Sequence, residues 1–178
     1  LQLFFDEEFK INKFLDIESL PYETPIIDND INGGRIDTYR NLITHEKNIT
    51  ISSYSATMKR LMPVGSIKKF FTEIDSSHNY NDLINKITKF NYQRTNEVRD
   101  KGEFSIRGPI IDIFPITGKK PIRIVFDNNK IEKIKEFDVE NQKTSKDIKN
   151  FFLTVTNEIN LTDSLVNTYK KNCHKFFD

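Results

Sequence analysis

The sequence has little from which a disulfide, a membrane span or a secretion signal could be built. Its single cysteine, Cys173, cannot form a disulfide within the chain and fits a reducing compartment. No apolar run approaches the ~18 residues that a membrane-spanning helix needs. Residues 6–8 are acidic, whereas a signal peptide begins with basic residues. We therefore expect a soluble, cytoplasmic protein with no membrane partner.

The motifs of the common catalytic and cofactor sites are also missing. None of the six glycines lies in a GxxxxGK[ST] phosphate-binding loop, and Gly33-Gly34, which lacks the lysine, predicts a turn before a helix. His45, His78 and His174 are far apart and have no partner at zinc-ligand spacing. No Ser-His-acid or Cys-His pattern is present. We expect no catalytic, cofactor-binding or metal-binding residues in this chain, and no enzymatic activity of its own.

Charge is balanced over the whole chain but is unevenly distributed along it. The 27 basic and 26 acidic residues give a net charge of +1, which does not by itself indicate a nucleic-acid-binding protein. Residues 1–34 carry two basic and eight acidic residues, a net charge of −6. Residues 65–135 carry fourteen basic and nine acidic residues, a net charge of +5. We interpret the two blocks as parts of different structural units.

Residues 1–64 show the alternating pattern of an α/β domain. Lys10 to Asp16 predicts a strand, and the β-branched run from Asn48 to Ser53 predicts a second, buried strand. Between them an apolar stripe at helical spacing is formed by Ile36, Tyr39, Leu42 and Ile43. Residues 55–61 predict a short helix. Strand, helix, strand and helix in this order indicate part of a parallel α/β sheet.

Residues 65–146 predict a small α+β unit. Its helix, residues 80–90, has Asn79 or Asn81 as its N-cap. Apolar and polar residues alternate in five predicted strands, at residues 68–74, 92–98, 103–114, 122–127 and 131–137. Gly108-Pro109 is expected to bend the third of these, and residues 127–129 to form a tight hairpin turn. We predict a bent antiparallel sheet with one helix packed on it, followed by a helical segment over residues 147–178.

Three arginines fall on three different predicted strands of this sheet: Arg94, Arg107 and Arg123. Phe104 and Ile106 alternate with Ser105 and Arg107, which gives that strand one apolar and one polar face. If the strands are neighbours, the arginines form a ladder that recognises acidic groups of a protein partner. The alternative is a solvated surface on which the arginines pair with three glutamates, Glu97, Glu103 and Glu132.

Residues 102–115, GEFSIRGPIIDIFP, resemble a signature of the UvrB-like module of nucleotide excision repair proteins. Residues 92–98, 122–126 and 130–134 resemble the segments that flank this signature in the family. Residues 16–23 and 137–144 are similar to segments of the Mfd family of transcription–repair coupling factors. A short loop at residues 19–25 stands where UvrB has a long tyrosine-rich hairpin, which also favours the Mfd branch.

The resemblance implies an α/β fold made of a partial RecA-like domain, residues 1–64, into which the α+β domain, residues 65–146, is inserted. Residues 147–178 would return to the first domain as a helical segment. The inserted domain of the family binds UvrA through arginines of its sheet. By position, this resemblance implies UvrA contacts from Arg94, Arg107 and Arg123, with apolar contacts from Val125 and the exposed edge of Phe126.

The same resemblance implies a recruitment role in transcription-coupled repair. Such a module brings UvrA to a stalled RNA polymerase, while separate motor domains of the parent protein use ATP and Mg²⁺ to move on DNA. A monomer is expected. Two other readings stay open at this point. One is a fragment of a UvrB-type DNA helicase with nucleotide or DNA binding, and the other is a stand-alone adaptor.

Overall fold

The structure, a computed structural model, describes residues 9–17, 28–59, 61, 64–158 and 170–171 of the chain. The helices named here are α1 (Asn29–Thr44), α2 (Tyr54–Met58), α3 (Val64–Ile67) and α4 (Tyr80–Lys89). The strands of the first half are β1 (Lys10–Phe14), β2 (Asn48–Ser52), β3 (Phe71–Ile74) and β4 (Gln93–Arg94). Those of the second half are β5 (Glu103–Arg107), β6 (Ile110–Ile113), β7 (Ile122–Asp127), β8 (Lys130–Phe137), β9 (Thr144–Ile148) and β10 (Phe151–Thr154).

The first described unit is a parallel pair of strands joined by a helix. β1 and β2 pair in parallel, and α1 connects them. The rings of Phe14 and Tyr39 pack edge to face, with their centroids 5.3 Å apart, and hold α1 on β1. The predicted parallel α/β arrangement is confirmed, although two strands and a helix do not identify a RecA-like fold. β2 was expected to be buried, but its residues are exposed or half-buried, because α1 covers only one side of the pair.

The two adjacent glycines lie inside α1, so the predicted turn before the helix is wrong. The helix begins at Asn29. Its N-cap is Asp28, whose side chain accepts a hydrogen bond from the backbone N–H of Asp30. A Cβ atom on Gly33 would lie 2.2 Å from the carbonyl oxygen of Ile116, which is closer than atoms can approach. Gly33 is therefore explained by the close approach of α1 to the segment after β6.

A second contact fastens α1 to two distant parts of the chain through a buried arginine. The side chain of Arg35 is 2% exposed and forms a bidentate ion pair with Glu158. Its Nη1 donates to the carbonyl of Leu15 over 2.6 Å, and its guanidinium lies 3.9 Å from the ring centroid of Phe14. Arg35 thus joins the end of β1 to the segment that follows β10.

The main sheet has six strands in the order β4-β5-β6-β7-β8-β9. Every pair of adjacent strands in this sheet is antiparallel except the pair of β4 and β5, which is parallel. The N-cap of α4 is Asn79, whose side chain accepts from the backbone N–H of Asp82 over 2.8 Å. Leu83 and Ile87 of α4 are buried against the isoleucines of the sheet, which form the main core. The predicted antiparallel sheet with a helix packed on it is confirmed for β5 to β8, but β4 pairs in parallel and β3 pairs with β10 outside this sheet.

Residues 103–114 form a hairpin of two strands, and the expected single bent strand is wrong. Arg107 pairs with Ile110, so β5 ends and β6 begins on either side of Gly108-Pro109. Gly108 adopts a φ of +59°, a conformation that reverses the chain and that glycine adopts without strain. With this turn, the backbone hydrogen-bonding groups of β5 pair with those of β6, whereas a single bent strand would leave this edge of β5 unpaired.

Of the predictions for residues 127–129 and 92–98, the structure confirms the first and only part of the second. The turn predicted at residues 127–129 is confirmed, since Asn128 and Asn129 have φ values of +46° and +73°. The strand predicted over 92–98 is reduced to two residues. Tyr92 is buried in the main core, whereas Val98 packs with Phe114 and Phe137 on the opposite face of the sheet. The chain therefore crosses the edge of the sheet within this segment.

The helical segment predicted from residue 147 onward is wrong for residues 147–154, which hold the end of β9 and all of β10. Phe151, Leu153 and Val155 are buried at every second position, and β10 pairs with β3. The helix was predicted from Ile148, Phe151, Phe152 and Val155, which fit helical spacing, and the pairing with β3 decides for a strand. The predictions for residues 19–25, 159–169 and 172–178 fall outside the described residues. The domain boundaries at 64 and 146 stay predictions. No helix within the described residues is long and apolar enough to cross a membrane.

We predict that Gly33→Ala lowers the free energy of unfolding by about 1–3 kcal/mol, because the added methyl group meets the Ile116 carbonyl. Gly34→Ala is the matched control, since its Cβ would meet only a Leu15 methyl group at 3.8 Å. Alanine favours a helix over glycine, so Gly34→Ala should leave stability unchanged or raise it by up to about 1 kcal/mol. Urea unfolding of both variants measures the difference, and equal stabilities would contradict the close approach.

Candidate functional site

The candidate site lies on the face of β5, β6 and β7 opposite α4, called here the outer face. Side chains alternate between the two faces along each strand, so register shows which residues share the outer face. One row across the three strands is Ser105, Asp112 and Arg123. The next row is Arg107, Ile110 and Val125. The outer face therefore holds two arginines and an acid beside two aliphatic side chains.

The centre of this face is Asp112, whose side chain is only 1% exposed. Its Oδ1 accepts from Nε of Arg123 over 2.7 Å, and its Oδ2 accepts from Nη2 of Arg123 over 2.9 Å. Oδ2 also accepts from Nη2 of Arg107. A buried carboxylate requires such partners, because leaving it unpaired costs several kcal/mol. Asp112 thus joins the two arginines of the outer face.

Arg123 is built into the sheet and is not presented to solvent. Its side chain is 17% exposed, and Nη1 donates to the carbonyl of Gln142 over 3.1 Å. The guanidinium also lies 4.7 Å from the ring centroid of Phe137. Hydrogen bonding to Asp112 raises the pKa of Arg123 above its ordinary value. With all these contacts, Arg123 has a structural role, and few of its donors are left for a partner.

Arg107 has a different environment, although it shares Asp112 with Arg123. Its side chain is 49% exposed. The bond from Nη2 to Asp112 is the one hydrogen bond that the described residues give its guanidinium. The remaining N–H groups are free to bind an outside carboxylate. Arg107 is therefore the sequence-predicted arginine that the outer face presents most directly.

The two apolar residues predicted for the site lie on opposite faces. Val125 is half-buried on the outer face, in the row of Arg107 and Ile110. Phe126 is 5% exposed in the main core, where its ring packs edge to face on Tyr80 with centroids 5.0 Å apart. The expected exposed edge of Phe126 is therefore wrong, because strand alternation turns it toward α4.

Arg94 does not join the other two arginines in a ladder. It lies on the two-residue edge strand β4, and its register partner is Phe104 of the core row. Its side chain is exposed and has no ion pair or hydrogen bond among the described residues. The structure thus brings Arg107 and Arg123 together through Asp112 and leaves Arg94 unpaired at the neighbouring edge.

Sequence reasoning missed Asp112 and Ile110, and proposed the wrong acids as partners. Glu97 pairs with Arg99, and Glu132 pairs with Lys133. Glu103 accepts from the backbone N–H groups of residues 99 and 100. Asp112 carried a usable signal, because it is the single acid in the apolar strand Ile110–Ile113 and lies on the same face as Arg107. Ser105, expected on a polar face, is buried, and its hydroxyl has no hydrogen-bond partner in the described part of the chain.

Among the described residues, no three His, Cys, Asp or Glu side chains converge in a group that could hold a metal ion. A groove of about 850 Å³ lies between the start of α1 and the loop from β4 to β5. Four acids line it, and Lys101 bridges it through an ion pair with Asp30 over 2.6 Å.

Comparison with known proteins gives consistent matches. Residues 71–158 match the model of a family described as the UvrB interaction domain. A transcription-repair-coupling factor of Staphylococcus aureus (strain MSSA476) is 29% identical over an alignment of 178 residues. The match covers 92% of this chain and 15% of that protein. A transcription-repair-coupling factor of Rickettsia prowazekii (strain Madrid E) is 30% identical over 173 residues, which cover 96% of this chain and 15% of that protein. The chain therefore spans about 15% of the length of the curated relatives it matches.

We predict that Arg123→Ala lowers the free energy of unfolding by about 2–4 kcal/mol, because it removes two of the three hydrogen bonds to the buried Asp112 carboxylate. Arg99→Ala is the control. Its side chain is 72% exposed and its ion pair with Glu97 is at the surface, so its loss should change stability by less than about 1 kcal/mol. Denaturant unfolding measures both, and a near-neutral Arg123→Ala would contradict the structural role.

Proposed function

The chain belongs to the UvrB interaction domain family through residues 71–158, and from this we propose that its outer face binds UvrA. The proposed docking surface consists of Arg107, Ile110 and Val125, with Arg94 at the adjacent edge. The observation that carries the proposal is the half-exposed guanidinium of Arg107, held on a rigid strand with free donors beside two aliphatic side chains. In this function the chain is a protein-interaction module and catalyses no reaction.

The surface suits a partner that offers a carboxylate next to apolar side chains. A guanidinium binds a carboxylate through two parallel hydrogen bonds, which fix the orientation of the partner as well as attracting it. Ile110 and Val125 supply apolar contact on the same row and exclude water from the pair. Arg94 adds a second positive charge at the edge, which speeds the encounter with an acidic surface.

We further propose that the chain acts as part of a longer protein in transcription-coupled nucleotide excision repair. The relatives that it matches are transcription-repair-coupling factors, and it corresponds to a small part of their length. In such a parent, RNA polymerase is a further partner, and separate motor domains bind ATP and Mg²⁺ and act on DNA in the cytoplasm. The chain itself supplies the recruitment surface for UvrA.

The alternative of a nucleotide-binding UvrB-type fragment finds little support at α1. A phosphate group binds at a helix start where free backbone N–H groups meet positive potential. Here the carboxylate of Asp28 caps the helix, and Asp30 adds a second negative charge in the first turn. These charges repel a phosphate group at the one helix that connects the parallel strands.

We predict that Arg107→Ala weakens binding to UvrA about tenfold, because it removes a charge-assisted hydrogen bond, and that Arg94→Ala weakens it only about threefold, because it removes a positive charge at the edge. Lys146→Ala is the matched control. It removes an exposed positive charge from β9, the strand at the far edge of the same sheet, and should bind like the wild-type chain. Titration by isothermal calorimetry at 150 mM salt measures the affinities, and thermal unfolding confirms that each variant is folded.

Two outcomes would contradict this proposal. One is wild-type affinity of the folded Arg107→Ala variant. The other is displacement of UvrA by single-stranded or duplex DNA in the same titration, which would make the basic face a nucleic-acid surface. Under the proposed function, affinity also falls as salt rises from 50 to 500 mM, and it falls less for Arg107→Ala than for the wild-type chain.

A further inference from the structure

We propose that Asp112 is a positioning residue of the docking surface, whose buried carboxylate orients the Arg107 guanidinium to receive a carboxylate of the partner. The inference rests on the proposed function, because it assigns a role within the same surface. Its basis is a chain of contacts that fixes Asp112 first and Arg107 second.

Asp112 is immobilised by Arg123, which is itself held by its neighbours. Both of its oxygens accept hydrogen bonds from Arg123 in a bidentate arrangement. Arg123 is itself fixed by the Gln142 carbonyl and by the ring of Phe137. The carboxylate therefore cannot rotate without breaking several contacts in a site closed to water.

Arg107 reaches this fixed carboxylate diagonally across the hairpin. The register partner of Asp112 is Ser105, so Arg107 lies two residues further along β5. Diagonal neighbours on one face of an antiparallel pair are within reach of a long side chain. The bond from Nη2 of Arg107 to Oδ2 of Asp112 thus draws the side chain from its own row, which contains Ile110, toward the row of Asp112.

This tether matters because a free arginine side chain has many rotamers. Ordering such a side chain on binding costs affinity, and a side chain that is already ordered avoids that cost. With Nη2 directed at Asp112, the other donors of the planar guanidinium have a fixed direction away from the sheet. Arg94 has no tether among the described residues, so it contributes charge without a fixed orientation.

Positioning and simple electrostatics predict opposite results when the Asp112 charge is removed. If Asp112 acted only through its charge, Asp112→Asn would make the surface more positive and tighten binding to an acidic partner. If Asp112 positions Arg107, the amide replaces an acceptor with a donor that faces the guanidiniums, and Arg107 loses its orientation. The second case gives weaker binding in spite of the added net positive charge.

The first experiment is a double-mutant cycle with the 178-residue chain, using UvrA as the probe. We expect Asp112→Asn to weaken binding about fivefold in the wild-type background and to have no further effect in the Arg107→Ala background. General damage to the sheet would weaken binding equally in both backgrounds. Thermal unfolding of each variant accompanies the affinity titrations.

A second pair of variants decides the matter if Asp112→Asn does not fold. Arg107→Lys keeps the charge but loses the planar fork, so we expect it to lose most of the affinity that Arg107→Ala loses. Arg99→Lys changes an exposed arginine outside the docking surface in the same way and is expected to bind within about twofold of wild type.

The outcomes separate this inference from the proposed function. If Arg107→Ala binds UvrA like the wild-type chain, the docking surface itself is wrong. If Arg107→Ala is weak but Asp112→Asn is folded and binds equally well or more tightly, the surface stands and the positioning role is overturned. Arg107→Lys with wild-type affinity also overturns it, while loss in Arg107→Lys but not in Arg99→Lys supports it.

Discussion

The pairing of one buried carboxylate with two arginines organises the outer face of the sheet. Asp112 lies on the middle strand of three and receives hydrogen bonds from β5 on one side and from β7 on the other. Burying a charge is unfavourable unless it is paired and hydrogen-bonded, so the three side chains form a mutually dependent set. The guanidinium of Arg123 uses three hydrogen bonds within the described residues, whereas that of Arg107 uses one. This difference determines which arginine is available to a partner.

The sheet that carries this face is joined firmly to the preceding α/β unit. Gly33 lets α1 approach the Ile116 carbonyl, and the Nδ2 atom of Asn32 donates to the carbonyl of Thr156 over 2.7 Å. Arg35 adds its ion pair with Glu158, and Ile36 contributes to the main core. Through these contacts α1 belongs to both units. A parent protein that holds the α/β unit would therefore also fix the direction in which the outer face points.

The fold could be predicted from the sequence wherever a local pattern has one structural meaning. Asn79 before an amphipathic stretch identified the start of α4, and Asn128-Asn129 identified a tight turn. The candidate site was predicted less completely. Arg107 and Val125 are on the outer face as expected, but Arg123 is enclosed and Phe126 is in the core. Their environments depend on contacts that no single strand contains.

By itself, the sequence determined the parallel α/β connection, the position of α4, the turn at residues 127–129 and the family resemblance of residues 102–115. Only the tertiary structure decided that residues 102–115 contain a hairpin, that residues 147–148 and 151–154 are strands and that Asp112 holds two arginines. The physical reason is the range of the interactions. Periodicity, caps and turns depend on residues close together in the chain. A strand, in contrast, needs the hydrogen-bonding edge of a partner, and β10 finds it in the distant β3. A buried ion pair likewise exists only once the strands that carry its charges lie side by side.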